Sequence, residues 1–154
     1  MTHRFKTRLE QALEHGDYAA LLDLVPYAKL IGVECTRSGD ELLFRLPANR
    51  DNIGNPILPA LHGGVIAGFM ELSAALHLLV FTGVPGLPKI IDFSLDYLRA
   101  GQFRDTYATC QVCRQGRRVA NVAITAWQTA PTEPIATARA HFKIEELPLL
   151  KSRS

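Results

Sequence analysis

From Val65 to Phe81 the chain is apolar except at Glu71, Ser73 and His77. Such a run predicts one long helix that opens at Gly63-Gly64 and is stopped by Thr82-Gly83-Val84-Pro85-Gly86. Upstream, Phe5, Leu9, Ala12 and Leu13 recur at helical spacing. Gly16 breaks that pattern and AALLDL resumes it, so Arg4 to Leu24 reads as helix, with Pro26 ending it. AKLIGVECTRSGDELLFRLPAN reads as a hairpin turning at Ser38-Gly39-Asp40. RDNIGNPILPALHGG, with its prolines, asparagines and glycines, reads as a loop with specified bends.

Beyond the long helix the period changes from helical to two. In IIDFSLDYL, Ile91, Phe93, Leu95 and Tyr97 share one face, and Asp92, Ser94 and Asp96 the other, which predicts a half-buried strand. DTYATCQVCR and RRVANVAITAWQTA follow as strands. In IATARAHFKI, Ala136, Ala138, Ala140, Phe142 and Ile144 alternate with Thr137, Arg139, His141 and Lys143. The expected order is helix, hairpin, long helix, then four antiparallel strands joined by short turns. A curved antiparallel sheet wrapping the long helix satisfies this order in an α+β fold. A helix with no solvent face needs more cover than one sheet supplies, and a second copy of the chain is the simplest source. The expectation is one domain over residues 1–154, with a helical segment at 1–27 and a frayed tail at 148–154.

Composition narrows the partners. A net charge of +2 argues against nucleic acid as the main partner. The N-terminus MTHRFKTRLEQ has no apolar core of a secretory signal. The longest apolar run is short for a membrane span and carries Glu71 and His77, so no membrane partner is expected. Three cysteines, an odd number, argue against a disulfide framework and for a reducing, cytoplasmic setting. Cys110 and Cys113 form a C-x-x-C on a predicted strand, where residues three apart face opposite ways, so no metal site is expected from them. His77 sits near the helix end, where a cation favours the dipole, and reads as structural.

The chemistry concentrates around the long helix. An unpaired buried carboxylate is costly, which singles out Glu71. His62-Gly63-Gly64 stands at the helix start, with Glu71 seven positions past the second glycine and Asn55 seven before the histidine. This constellation, with IDFSLDYLRAG after the helix, resembles the hotdog-fold acyl-CoA thioesterases, in particular the phenylacetate-pathway (PaaI-like) branch. The likeness spans Ile31 to Ile144. It implies a hotdog fold with an extra N-terminal helix, hydrolysis of acyl-CoA without a cofactor, and a homo-oligomer, either a dimer or a dimer of dimers. Two departures stand out. The family's asparagine usually precedes the histidine by six residues. Some members carry a serine or threonine where this chain has Ile90.

The residues support their own reading of the site. A helix start leaves backbone N–H groups without partners, and glycine lets a ligand approach them. Gly63 and Gly64 are therefore the expected oxyanion hole for a thioester carbonyl. Glu71 lies two turns on, roughly 10 Å along the axis from Gly64, too far to attack a carbonyl held by its own glycines. Two helices packed about a two-fold axis would set the acid of one copy against the glycines of the other. Glu71 then acts as general base on water or as direct nucleophile. His62 either donates near the thioester oxygen or holds the loop. Arg99, Arg117 and Arg118 are the candidates for the phosphates of coenzyme A. The alternatives are a non-catalytic acyl-CoA-binding protein and a hotdog hydroxyacyl dehydratase.

Overall fold

The computed structural model describes residues 3–82 and 86–145. Two of the expectations, the frayed tail and the Gly83-Val84-Pro85 stop, lie wholly or mainly outside them. Three short helices come first: α1 (His3–Glu14), α2 (Tyr18–Asp23) and α3 (Pro26–Ile31). Leu9 and Ala12 bury the inner face of α1. Asp17 caps α2, its carboxylate accepting from the Ala20 amide at 3.0 Å. Pro26, expected to end the helical segment, instead begins α3. Proline suits a first helical turn because its missing N–H would be unpaired there anyway. Ala28 to Ile31, expected in the hairpin, belong to α3, which ends at Gly32 with φ 85°.

The hairpin itself forms as β1 (Glu34–Ser38) and β2 (Glu41–Leu46), turning through Gly39 at φ 60°. The loop after it folds back on itself. A 3-10 turn (Arg50–Asn52) leads into the small ribbon β3 (Ile53–Asn55) and β4 (Ala60–Leu61). Then come α4 (Gly63–Thr82) and four strands: β5 (Lys89–Tyr97), β6 (Thr106–Gln115), β7 (Val119–Trp127) and β8 (Pro134–Lys143).

The main sheet is antiparallel, with order β1-β2-β6-β7-β8-β5, and α4 lies across its inner face. This is the expected hotdog arrangement. Ala108, Ala120, Ala126, Ala136 and Ala140 are fully buried under the helix, and their small size lets it lie close to the sheet. Phe44, Phe69, Met70 and Phe142 fill the core between. Ser73, buried in α4, donates to the Phe69 carbonyl at 2.7 Å and so satisfies its own hydroxyl.

The sequence order of the last four strands is not their order in space. β5 pairs with β8 at one edge, so the segment 98–105 carries the chain past two strands to β6. As an edge strand β5 is less covered than its alternation suggests. Ile91 sits at a bulge and is 57% exposed, and Tyr97 is 53% exposed. His77 packs on Phe81, with ring centroids 4.8 Å apart, and desolvation lowers its pKa below the ordinary histidine value.

Candidate active site

The start of α4 is held from three sides. The His62 amide donates to the Asn52 carbonyl at 2.8 Å, and the buried Asn52 side chain donates to the Ile31 carbonyl at 3.0 Å. Leu61 N–H donates to Gly101 O at 2.8 Å. Gly54 lies so close that a Cβ there would stand 2.7 Å from the His62 Cα. The ribbon β3–β4 thus seats His62 at the helix mouth through backbone contacts.

His62 then satisfies most of the helix start. Its carbonyl accepts from Val65 N–H at 3.0 Å and Ile66 N–H at 3.2 Å. Its Nδ1 accepts from Gly64 N–H at 2.9 Å, the bond an N-cap side chain makes. Of the first four amides only that of Gly63 has no acceptor among the described residues. The two glycines expected to act as a pair are therefore unequal. Gly64 is engaged, and Gly63 offers the free donor. The same bond requires a bare Nδ1, which puts the proton of a neutral His62 on Nε2.

Tyr97, at the end of β5, completes the arrangement. Its hydroxyl donates to the Gly63 carbonyl at 2.6 Å. The sequence showed Tyr97 only as one more apolar position of a strand, and its polar tip was the unused signal.

Glu71 stands two turns along α4 and is half-buried. Among the described residues it makes no ion pair or hydrogen bond. The neighbouring face is notched at Gly68, where Tyr27 of α3 lays its ring against the helix backbone. Asn55 is exposed, and its Oδ1 accepts from Ile57 N–H at 3.0 Å and Leu58 N–H at 3.4 Å, capping the turn to Pro59. The register shift in β3 between Ile53 and Asn55 coincides with the longer spacing to the histidine.

The arginines divide between two ends of the sheet. Arg117 and Arg118, with Arg114 and His141, line an open cleft of about 600 Å³ at the β6–β7 turn. Arg99 lies at the other end, where its amide donates to Ile135 O. Arg118 is tied to the far end of β8, its carbonyl accepting from Ile144. Ile135 to Ile144 along β8 spans about 30 Å, so one protomer does not bring the candidates together. All three cysteines are free. Burial pushes the Cys35 thiol up to about 12 and the Cys110 thiol higher still, while Cys113 is exposed. No group of three or more metal-ligating side chains occurs among the described residues.

Residues 58–135 match the family model described as "Thioesterase superfamily". A solved structure from Chromobacterium violaceum is 42% identical, with TM-score 0.77, covering 92% of this chain and 98% of its own. A phenylacetic acid degradation-related protein of Ralstonia eutropha shares the fold at 20% identity, with TM-score 0.68, covering 77% and 89%. Zebrafish thioesterase superfamily member 2 does so at 23% identity, with TM-score 0.62, covering 73% and 80%. No curated protein matches the chain.

Proposed function

Because this chain belongs to the thioesterase superfamily, we propose that it hydrolyses acyl-CoA thioesters, with Glu71 of one protomer working against Gly63 of a second. The observation that carries this reading is the division of labour at the helix start. His62 takes the Gly64 amide and leaves the Gly63 amide as an unused donor, at a turn where glycine lets a ligand close in.

The thioester carbonyl accepts from Gly63 N–H, and the His62 Nε2–H is the second donor. Charge that develops on that oxygen during attack meets donors already in place. Glu71 takes the proton of an attacking water, or attacks the carbonyl itself to give an anhydride that water then opens. The thiolate leaves without a strong general acid. A His62 protonated at Nε2 is not placed to act as a base, which weighs against the dehydratase alternative.

The second protomer is needed because Gly63 and Glu71 of one chain are about 12 Å apart along the helix. Edge strand β5 supports such pairing. Among the described residues its outer backbone groups have no strand neighbour, and apolar Ile91 on it and Leu98 just past its end stand exposed. Two β5 strands paired antiparallel extend the sheet and set the Tyr97 end of one copy beside the Lys89 end of the other. The cleft of Arg114, Arg117 and Arg118 then draws towards the partner's helix mouth, where it suits the phosphates of coenzyme A. Free thiols fit a reducing cytoplasm.

The test is a panel of acyl-CoAs incubated with purified protein, with released thiol followed by absorbance. Turnover that disappears in Glu71→Gln supports the proposal. Tight acyl-CoA binding without turnover in the wild-type protein replaces it with the non-catalytic alternative.

A further inference from the structure

The Gly63–Gly64 peptide is gripped at both poles. Its carbonyl accepts from the Tyr97 hydroxyl at 2.6 Å, and its N–H donates to His62 Nδ1 at 2.9 Å. The tyrosine comes from β5 and the histidine from the loop before α4, so the link joins the edge strand to the helix mouth. Tyr97 also sits closely enough that a Cβ on Gly63 would stand 3.1 Å from its Oη.

We infer that Tyr97 is a positioning residue, holding the Gly63–Gly64 peptide so that His62 stays in its Nε2–H form with that proton available to the substrate. This deepens the proposed hydrolysis and rests on it. The physical route is short. A donor on a peptide carbonyl draws electron density from the nitrogen and strengthens the opposite N–H as a donor. A stronger Gly64 N–H bond keeps Nδ1 bare and fixes the ring plane. Without the hydroxyl the peptide keeps only its helical bond, the Gly64 N–H weakens as a donor, and Nδ1 is freer to take the proton. The His62 donor then turns away from the thioester oxygen. Tyr97 does this from outside the reacting atoms, and the Gly63 amide, which belongs to the preceding peptide, is left in place.

The experiment compares wild-type protein with Tyr97→Phe, which deletes one oxygen and keeps the ring packing. Nitrogen-15 spectra of the side-chain imidazoles, with His62→Gln to assign the His62 signals, report the tautomer without any thioester present. The expected result is an Nε2–H His62 in the wild-type protein and a mixed population in the variant. Alongside it, kcat should fall about tenfold with KM within a factor of two, and the circular dichroism spectrum should be unchanged. An Nδ1–H form in the wild-type protein, a tautomer untouched by the substitution, or unchanged kcat in the variant overturns the inference. Failure of the hydrolysis reading is seen separately, as Glu71→Gln retaining turnover or the wild-type protein showing none.

Discussion

His62 Nδ1 accepts the Gly64 amide at 2.9 Å, so the side chain of the motif's first residue occupies the backbone of its third. The bond separates two neighbouring glycines, one with its N–H engaged and one with its N–H open to an acceptor. Gly63→Pro removes the free N–H at a first helical position, where proline's fixed φ suits the backbone, and Gly63→Ala, which brings the same Cβ against the Tyr97 hydroxyl but keeps the N–H, is its control. Loss of one oxyanion donor should lower kcat by about 10²–10³. Mixed oligomers give the sharper measurement. Glu71→Gln and Gly63→Pro chains, each inactive alone, should regain roughly a quarter of wild-type activity when co-refolded, because each mixed dimer holds one intact site in two. No recovery from a verified mixed dimer would place the acid and the donor in the same chain.

Glu71→Gln keeps the shape and removes the charge. Turnover should fall by about 10²–10⁴ while the thermal midpoint stays the same or rises, since an unpaired carboxylate is relieved. Steady-state kinetics and a melting curve on the same sample check both halves. A variant above one tenth of wild-type kcat would remove Glu71 from the chemistry.

The three thiols should react at different rates. Burial raises the pKa of Cys35 to about 12 and that of Cys110 further, so both are almost wholly protonated at neutral pH. Cys113 is exposed. Native protein should release one equivalent rapidly from an aromatic disulfide reagent, and three after denaturation. Cys113→Ser should abolish the fast phase. The same variant clears the background from thiol-based activity assays.

The Gly68–Tyr27 contact should invert a helix rule. Alanine is worth about 1 kcal/mol more than glycine inside a helix. Here its Cβ would lie 2.6 Å from Tyr27 Cε1, forcing the ring off α4. A tyrosine that surrenders about 100 Å² of buried surface loses about 2.5 kcal/mol. Gly68→Ala should therefore destabilise by about 1.5 kcal/mol in the native background. In a Tyr27→Ala background the same change should stabilise by up to about 1 kcal/mol. A denaturant double-mutant cycle measures the reversal.

Asp105 gives a pH signature. The Ala48 amide donates to it at 2.9 Å and Arg45 pairs with it at 2.7 Å, and together they hold its carboxyl below the ordinary value. A group depressed in the folded state adds stability above its unfolded pKa of about 3.9, and that contribution fades as pH falls through the folded value. Asp105→Asn should thus lower the melting temperature at pH 7 and narrow the gap to wild type as pH drops below about 4. A gap that widens on acidification would contradict the assignment. Because the pair is partly exposed, the effect should be small and sensitive to salt.

Local pattern was enough to read most elements. The periods of Val65–Phe81 and of Ala136–Ile144 announce a buried helix and an inner-face strand, because side-chain direction repeats every 3.6 or 2 residues whatever the rest of the chain does. Glycine at the hairpin turn and His-Gly-Gly with Glu71 were equally visible, since each depends on residue type and spacing. Pro26 reads as a stop yet starts a helix, because proline can do either and only packing decides which. Tertiary structure alone placed β5 beside β8, laid Tyr27 into the Gly68 notch, and brought Tyr97 onto a carbonyl 34 residues away. It alone also separated the engaged Gly64 from the free Gly63. Those relations join segments distant in sequence, and no local periodicity encodes which of them meet. They are set by how one sheet closes over one helix.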